Sequence, residues 1–238
     1  MIPTRSHGLA VNLIQSAVIG VVLTALSYVV ALQLDWITSL DWLEVFAVFT
    51  SYVSTFLFVM ERRICYPIGA VSTAAYCVLF WRFDLNASMA INAFLVVYLI
   101  YGWLRWRRDD NTLPITRMSG RDWALALTVT AVGYAIVVGL SSAFGGALVW
   151  TDSVILVGTL LAQFMLDNKK LENWLVWAAM NCFAIYTYFN IGLPLVGFQY
   201  IFFLLNAFWA LRVWSGSYKN QIGAEAYNKT VLFPQDAS

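Results

Sequence analysis

Residues 173–211 read NWLVWAAMNCFAIYTYFNIGLPLVGFQYIFFLLNAFWAL and contain no charged side chain. A single helix of this length would run about 58 Å, nearly twice the roughly 30 Å hydrocarbon core of a bilayer. The turn-forming residues Asn190, Gly192 and Pro194 lie near its middle, so the stretch is predicted to cross the membrane twice. The chain is therefore predicted to be an integral membrane protein.

The rest of the chain extends this interpretation to an all-α protein with eight transmembrane helices. Hydrophobic residues make up 61% of the 238 positions and charged residues 11%, a composition too apolar for one water-soluble core. Segments of crossing length lie at residues 8–34, 42–60, 64–81 and 85–104. Residues 123–166 are too long for one crossing and supply two helices around a turn at residues 141–146.

The basic residues predict the orientation of these helices. Thirteen of the 14 Lys and Arg residues fall in the two termini or in alternate loops, and Arg82 alone falls on the other side. Cytoplasmic loops collect Lys and Arg. We therefore expect a multi-pass protein of the cell inner membrane with both termini in the cytoplasm.

The sequence also resembles itself after a shift of 108 positions. The matched pairs are Trp42 with Trp150, Glu44 with Asp152, Phe56 with Phe164, Tyr66 with Trp174, Phe94 with Phe202, Tyr101 with Trp209 and Trp106 with Trp214. Two parallel three-helix repeats joined by a linker helix explain these matches. The expected units are an extra helix (1–41), a first repeat (42–108), a linker (109–149), a second repeat (150–214) and a cytoplasmic tail (215–238). This layout resembles the SWEET sugar transporters and implies a substrate site between the repeats near the midplane.

One face of helix seven carries the strongest candidate residues for function. Trp174, Trp177, Asn181 and Tyr188 are spaced three, four and seven residues apart, which places them on the same face. A tryptophan face attracts a flat cation, and asparagine offers both a hydrogen-bond donor and an acceptor. The alternative is structural, with Asn181 bonding a neighbouring helix beside an aromatic packing stripe.

The pattern WxxWxxxN formed by Trp174, Trp177 and Asn181, followed by Tyr188 and the turn at 192–193, resembles the PnuC family of nicotinamide riboside transporters. The resemblance covers about residues 42–214. It implies a substrate with a cationic pyridinium ring, a carboxamide and a ribose, and a separate cytoplasmic kinase that traps the substrate. Further candidate contacts are Gln163, Asn206, Asn92 and Tyr98. For each of the three amides, bonding between helices is an equally good explanation.

The acidic residues favour transport down a gradient. Glu44 and Asp152 lie at matched helix starts, either as gate residues or as carboxylates favoured by the helix dipole. We interpret the charged loops 61–63 and 167–170 as topology signals. No ionisable residue is expected near the midplane and no phosphate loop occurs, so we predict facilitated diffusion.

Several other classes of function are disfavoured. The near balance of Lys plus Arg with Asp plus Glu gives no nucleic-acid signal. No cofactor or metal site is expected, and no set of residues predicts an enzyme. The expected partners are membrane lipid and a small-molecule substrate, and a homo-oligomer such as a trimer is compatible with the sequence. The alternatives are a transporter of a sugar or another vitamin, or a receptor or scaffold.

Overall fold

The computed structural model describes residues 8–82, 86–106, 113–143, 149–190 and 194–232, except for some side chains near helix ends. In this part of the chain eight helices follow one another. They are α1 (Leu9–Gln33), α2 (Trp42–Val59), α3 (Cys65–Arg82), α4 (Asn86–Arg105), α5 (Gly120–Ala143), α6 (Val149–Asp167), α7 (Asn173–Asn190) and α8 (Pro194–Leu232). Of the described helices, α1, α2, α5 and α8 contain an apolar stretch long enough to cross a bilayer unaided.

Six of the helices form a closed ring. Contacts run from α2 to α3, α4, α6, α7 and α8 and back to α2, while α1 packs outside on α2 and α8, and α5 packs outside on α6. The α2–α8 contact is equivalent to the α4–α6 contact when the two repeats are exchanged. The ring therefore has an approximate two-fold axis, and the prediction of an all-α fold with an extra helix, two parallel three-helix repeats and a linker helix is confirmed.

The turns that follow α2 and α6 are built in the same way. Glu61 and Lys169, 108 positions apart, have positive φ angles of 54° and 48°. The amide of Arg62 donates to the carbonyl of Leu57 at 3.0 Å, and the equivalent bond from Lys170 to Met165 measures 2.9 Å. Both are Schellman endings, in which a left-handed residue lets the last carbonyls find donors. The internal repeat is therefore preserved at the level of individual backbone bonds.

Polar residues fix where several helices begin. The Asp41 carboxylate accepts from the amide of Leu43 at 2.8 Å and caps α2. At the start of α5, Ser119 and Asp122 satisfy each other's backbone amides at 3.0 and 3.2 Å, which is a reciprocal capping box. Pro194 occupies the first position of α8, where its missing amide hydrogen costs nothing.

Helix α8 continues well beyond Trp214, where the sequence becomes polar and where we placed the start of a tail. The helix persists because the following residues contain no proline before Pro234, and helix propagation does not require apolar side chains. Tyr218 packs against the main hydrophobic core, and Gln221 accepts a hydrogen bond from the amide of Ile115 at 3.2 Å. The extension is thus docked on the loop before α5.

Candidate functional site

A buried ion pair joins the two repeats at one end of the ring. We call this the basic end, defined by the turns at 60–64 and 168–172 and the loop 113–119. Lys169 Nζ lies 2.5 Å from Glu61 Oε2, and the two side chains are only 1% and 4% exposed. The ammonium also sits 4.6 Å from the centre of the Trp106 ring, a cation–π distance. The topology interpretation of these loop charges missed this pair.

Two tryptophans make reciprocal bonds across the basic end. Trp106 Nε1 donates to the carbonyl of Asp167 at 3.0 Å, and Trp214 Nε1 donates to the carbonyl of Val59 at 3.1 Å. The two donors are 108 positions apart in the sequence, and so are the two acceptors. The two bonds are therefore equivalent under the internal repeat. Their ring centres lie 6.3 Å apart. Each repeat therefore satisfies a helix-end carbonyl of the other repeat.

The carboxyl group of Asp167 is fully buried beside this cluster. Its Oδ1 accepts from Tyr66 Oη and from Gln163 Nε2, both at 2.8 Å. Its Oδ2 is buried and has no hydrogen-bond partner among the described residues. A side chain at Gly102 would overlap the Tyr66 ring and this carboxylate, so the close approach of α4 requires glycine there. Gln163, a predicted substrate contact, is thus placed next to an acidic group.

The candidate face of α7 lies inside the protein. Asn181 is 3% exposed and Trp174 is 4% exposed. Trp174 meets Trp214 edge-on at 5.3 Å, and its Nε1 is a buried donor with no partner in the described part of the chain. Trp177 is half-buried against the main core. The structure therefore joins Trp174 to the basic end, and contact of these residues with substrate stays a prediction.

A second set of polar side chains spans the ring towards the opposite end. Tyr76 Oη donates to Gln199 Oε1 at 3.1 Å, which links α3 to α8 across the interior. Gln199 Nε2 is buried and lacks a partner among the described residues. Tyr188, a predicted contact, stacks on Tyr200 with ring centres 5.3 Å apart. Sequence reasoning missed Tyr76, Gln199 and Tyr200, although Gln199 is an amide in a charge-free helix, the same signal that selected Asn206.

The remaining candidates lie on α4 and α8. Asn206 borders a cavity of about 680 Å³ between α1, α2 and α8, on the outer side of the ring, and its Nδ2 is buried without a described partner. Asn92 is half-buried on α4. Tyr98 packs against Phe94 at 5.3 Å. The structure therefore does not join Asn206 to the face that carries Asn181.

The matched acidic residues lie at the end opposite the basic end. Glu44 borders a cavity of about 780 Å³ together with Asp41 and Arg82, whose side chains are 3.6 Å apart. The side chain of Asp152 lies outside the described residues. Among the residues that the structure describes, no group of three or more His, Cys, Asp or Glu side chains is arranged to hold a metal ion.

A ring of membrane helices around buried amides and tyrosines defines a membrane transporter rather than an enzyme. The chain belongs to the family described as Nicotinamide mononucleotide transporter, which matches residues 41–216. The resemblance to the PnuC family is thereby confirmed.

Named relatives show how far this similarity extends. The nicotinamide riboside transporter PnuC of Escherichia coli K12 is 23% identical over 75% of this chain and 87% of its own length. PnuC of Neisseria mucosa is 25% identical over 77% of this chain and 75% of its own length. The riboflavin/roseoflavin transporter RibM of Streptomyces davaonensis is 27% identical over 58% of this chain and 68% of its own length.

The fold is also that of a solved relative. A crystal structure of the vitamin B3 transporter PnuC superposes with a TM-score of 0.72 at 21% identity, and the match covers 90% of this chain and 99% of that one. At this identity the likeness concerns the arrangement of the helices.

Proposed function

We propose that this protein carries nicotinamide riboside across the cell inner membrane. The observation that carries the proposal is the set of neutral polar and aromatic side chains buried inside the ring. Trp177 offers a stacking surface for a pyridinium ring, and Asn181 offers both partners for a carboxamide. Trp174 Nε1 at the basic end and Gln199 Nε2 towards the opposite end are buried donors without described partners, and a ribose oxygen is a suitable acceptor for either one.

The charges inside the ring favour the riboside over the mononucleotide of the family description. A phosphate is doubly charged and is normally bound by Arg, Lys or clustered backbone amides. Lys169, the buried cation of the basic end, already pairs with Glu61. The riboside lacks the phosphate and is a cation, so it suits an interior whose described polar groups are amides, hydroxyls and the Asp167 carboxyl.

The proposed mechanism is facilitated diffusion. The buried Asp, Glu and Lys side chains of the basic end are Glu61, Asp167, Lys169 and Glu172, and they lie at or beside helix ends rather than at the midplane. The two repeats would rock about their approximate two-fold axis and expose a central site to each side in turn. Substrate would move down its own gradient, and a separate cytoplasmic kinase would trap it by phosphorylation.

The proposed orientation places the basic end and both termini in the cytoplasm. Lys and Arg residues cluster at this end, as the positive-inside rule requires. A cysteine introduced at Asn111 should resist an impermeant thiol reagent in intact cells. Modification of that cysteine from outside would reverse the orientation.

Calorimetry on the purified protein tests the substrate. Nicotinamide riboside should bind, and Trp177→Ala and Asn181→Ala should each weaken binding by about 1 to 3 kcal/mol through a lost stack or an unpaired buried group. Leu175→Ala is a matched control, because Leu175 lies on the same helix and is 49% exposed. Wild-type affinity in both variants would reassign the pair to packing.

Two further measurements separate the alternatives. Riboflavin is the second candidate substrate because of the similarity to RibM, and tighter binding of riboflavin than of the riboside would favour it. Purified protein in liposomes should equilibrate the riboside without concentrating it. Accumulation driven only by a proton or sodium gradient would exclude facilitated diffusion, and an absence of any flux would favour a receptor or scaffold.

A further inference from the structure

The buried carboxyl group of Asp167 has an oxygen that the protein itself does not use. Asp167 is 0% exposed. Its Oδ1 already accepts two hydrogen bonds, whereas its Oδ2 has no partner among the described residues. Leaving a carboxylate oxygen unpaired in a dry site is costly. A positively charged group of a bound ligand would give this oxygen a partner.

Gln163, which bonds Asp167, and the candidate stacking residue Trp177 lie at similar depths on neighbouring helices. Gln163 lies four residues from the end of α6, and Trp177 lies four residues from the start of the neighbouring α7, so both sit about 6 Å from the basic-end termini of their helices. Gln163 reaches Asp167 directly through its 2.8 Å hydrogen bond. Because α6 packs against α7, a flat cation stacked on Trp177 and reaching towards Gln163 would lie near the Asp167 carboxylate.

We propose that Asp167 is a charge-selecting residue on the basic-end side of the transport site, and that Tyr66 and Gln163 hold its carboxyl group in place. This inference rests on the proposed function, because it assigns the positive charge of nicotinamide riboside to this group. Attraction between opposite charges is strong over such distances where water is excluded. The nearby Lys169 is already neutralised by Glu61 at 2.5 Å, which leaves the Asp167 charge available to the substrate.

A pair of ligands that differ in charge tests the assignment. Reduced nicotinamide riboside has nearly the same shape as nicotinamide riboside, but its dihydropyridine ring is neutral. The wild-type protein should bind the cationic form at least tenfold more tightly. In Asp167→Asn, which preserves the size of the side chain, affinity for the cationic form should fall about 10- to 100-fold, while affinity for the neutral form should change less than about threefold.

Asp122→Asn provides a matched control. Asp122 is an exposed carboxylate at the same end of the protein, 3.4 Å from Lys170 and outside the ring. Its removal deletes one negative charge without touching the site, so the preference for the cation should persist. Equal loss of preference in this control would show a long-range charge effect and overturn the role of Asp167.

The remaining outcomes are also decisive. Equal weakening of both ligands in Asp167→Asn would make the carboxyl a structural group. If that variant does not fold, the wild-type comparison still decides, because equal wild-type affinity for the two forms excludes charge selection. Wild-type protein that binds neither form would instead refute the proposed function itself.

Discussion

The two ends of the helix ring are closed by different kinds of contact. At the basic end, an ion pair, two reciprocal indole bonds and a buried carboxyl group connect the repeats. Towards the opposite end, a neutral hydrogen bond between Tyr76 and Gln199 connects the repeats across the interior. Opening the basic end would expose desolvated charges, whereas opening the other end exchanges a neutral hydrogen bond for water or substrate. We therefore expect the opposite end to open at lower cost.

The largest loss of stability should come from removing the charge of only one member of the ion pair. Glu61→Gln removes the carboxylate that lies 2.5 Å from the buried Lys169 ammonium, which should lower the free energy of unfolding by about 3 to 5 kcal/mol. Chemical denaturation in detergent measures this. The exchange Glu61→Lys with Lys169→Glu should recover most of the loss. A single variant as stable as the wild type would show that the pair does not hold the basic end.

A smaller and symmetric effect should follow from removing either indole bond. Trp106→Phe and Trp214→Phe each leave a helix-end carbonyl without its donor, so each should cost about 1 to 2 kcal/mol by the same assay. Trp81→Phe, on a side chain that is 65% exposed, is the control and should cost less. Strongly unequal costs for the two buried tryptophans would argue against equivalent roles in the two repeats.

The smallest effect should come from the opposite end. Tyr76→Phe removes the hydroxyl that donates to Gln199 and should lower the free energy of unfolding by about 0.5 to 1.5 kcal/mol. Tyr186→Phe, on a side chain that is 67% exposed, should leave stability unchanged. A Tyr76→Phe loss as large as that of Glu61→Gln would remove the difference between the two ends.

The order of the helices and most of their ends could be predicted because bilayer thickness fixes the length of an apolar segment, whereas the polar extension of α8 to Leu232 could not. The repeat was also visible, since Trp106 and Trp214 keep their spacing through both copies. The partners of buried polar groups could not be predicted in the same way. Each residue turns about 100° around a helix axis, so the sequence alone did not show that Gln163 meets Asp167 or that Asn206 borders the cavity beside α1.

The ion pair on the two-fold axis also limits how the two halves of the chain can assemble. In a true isologous dimer, a residue near the axis meets its own copy. Two copies of the first half would bring glutamate against glutamate in a dry turn, and two copies of the second half would bring lysine against lysine. Both homodimers are therefore penalised by like-charge repulsion, while the mixed pair is neutral. The two equivalent turns thus carry opposite charges, which favours pairing of each half of the chain with the other half.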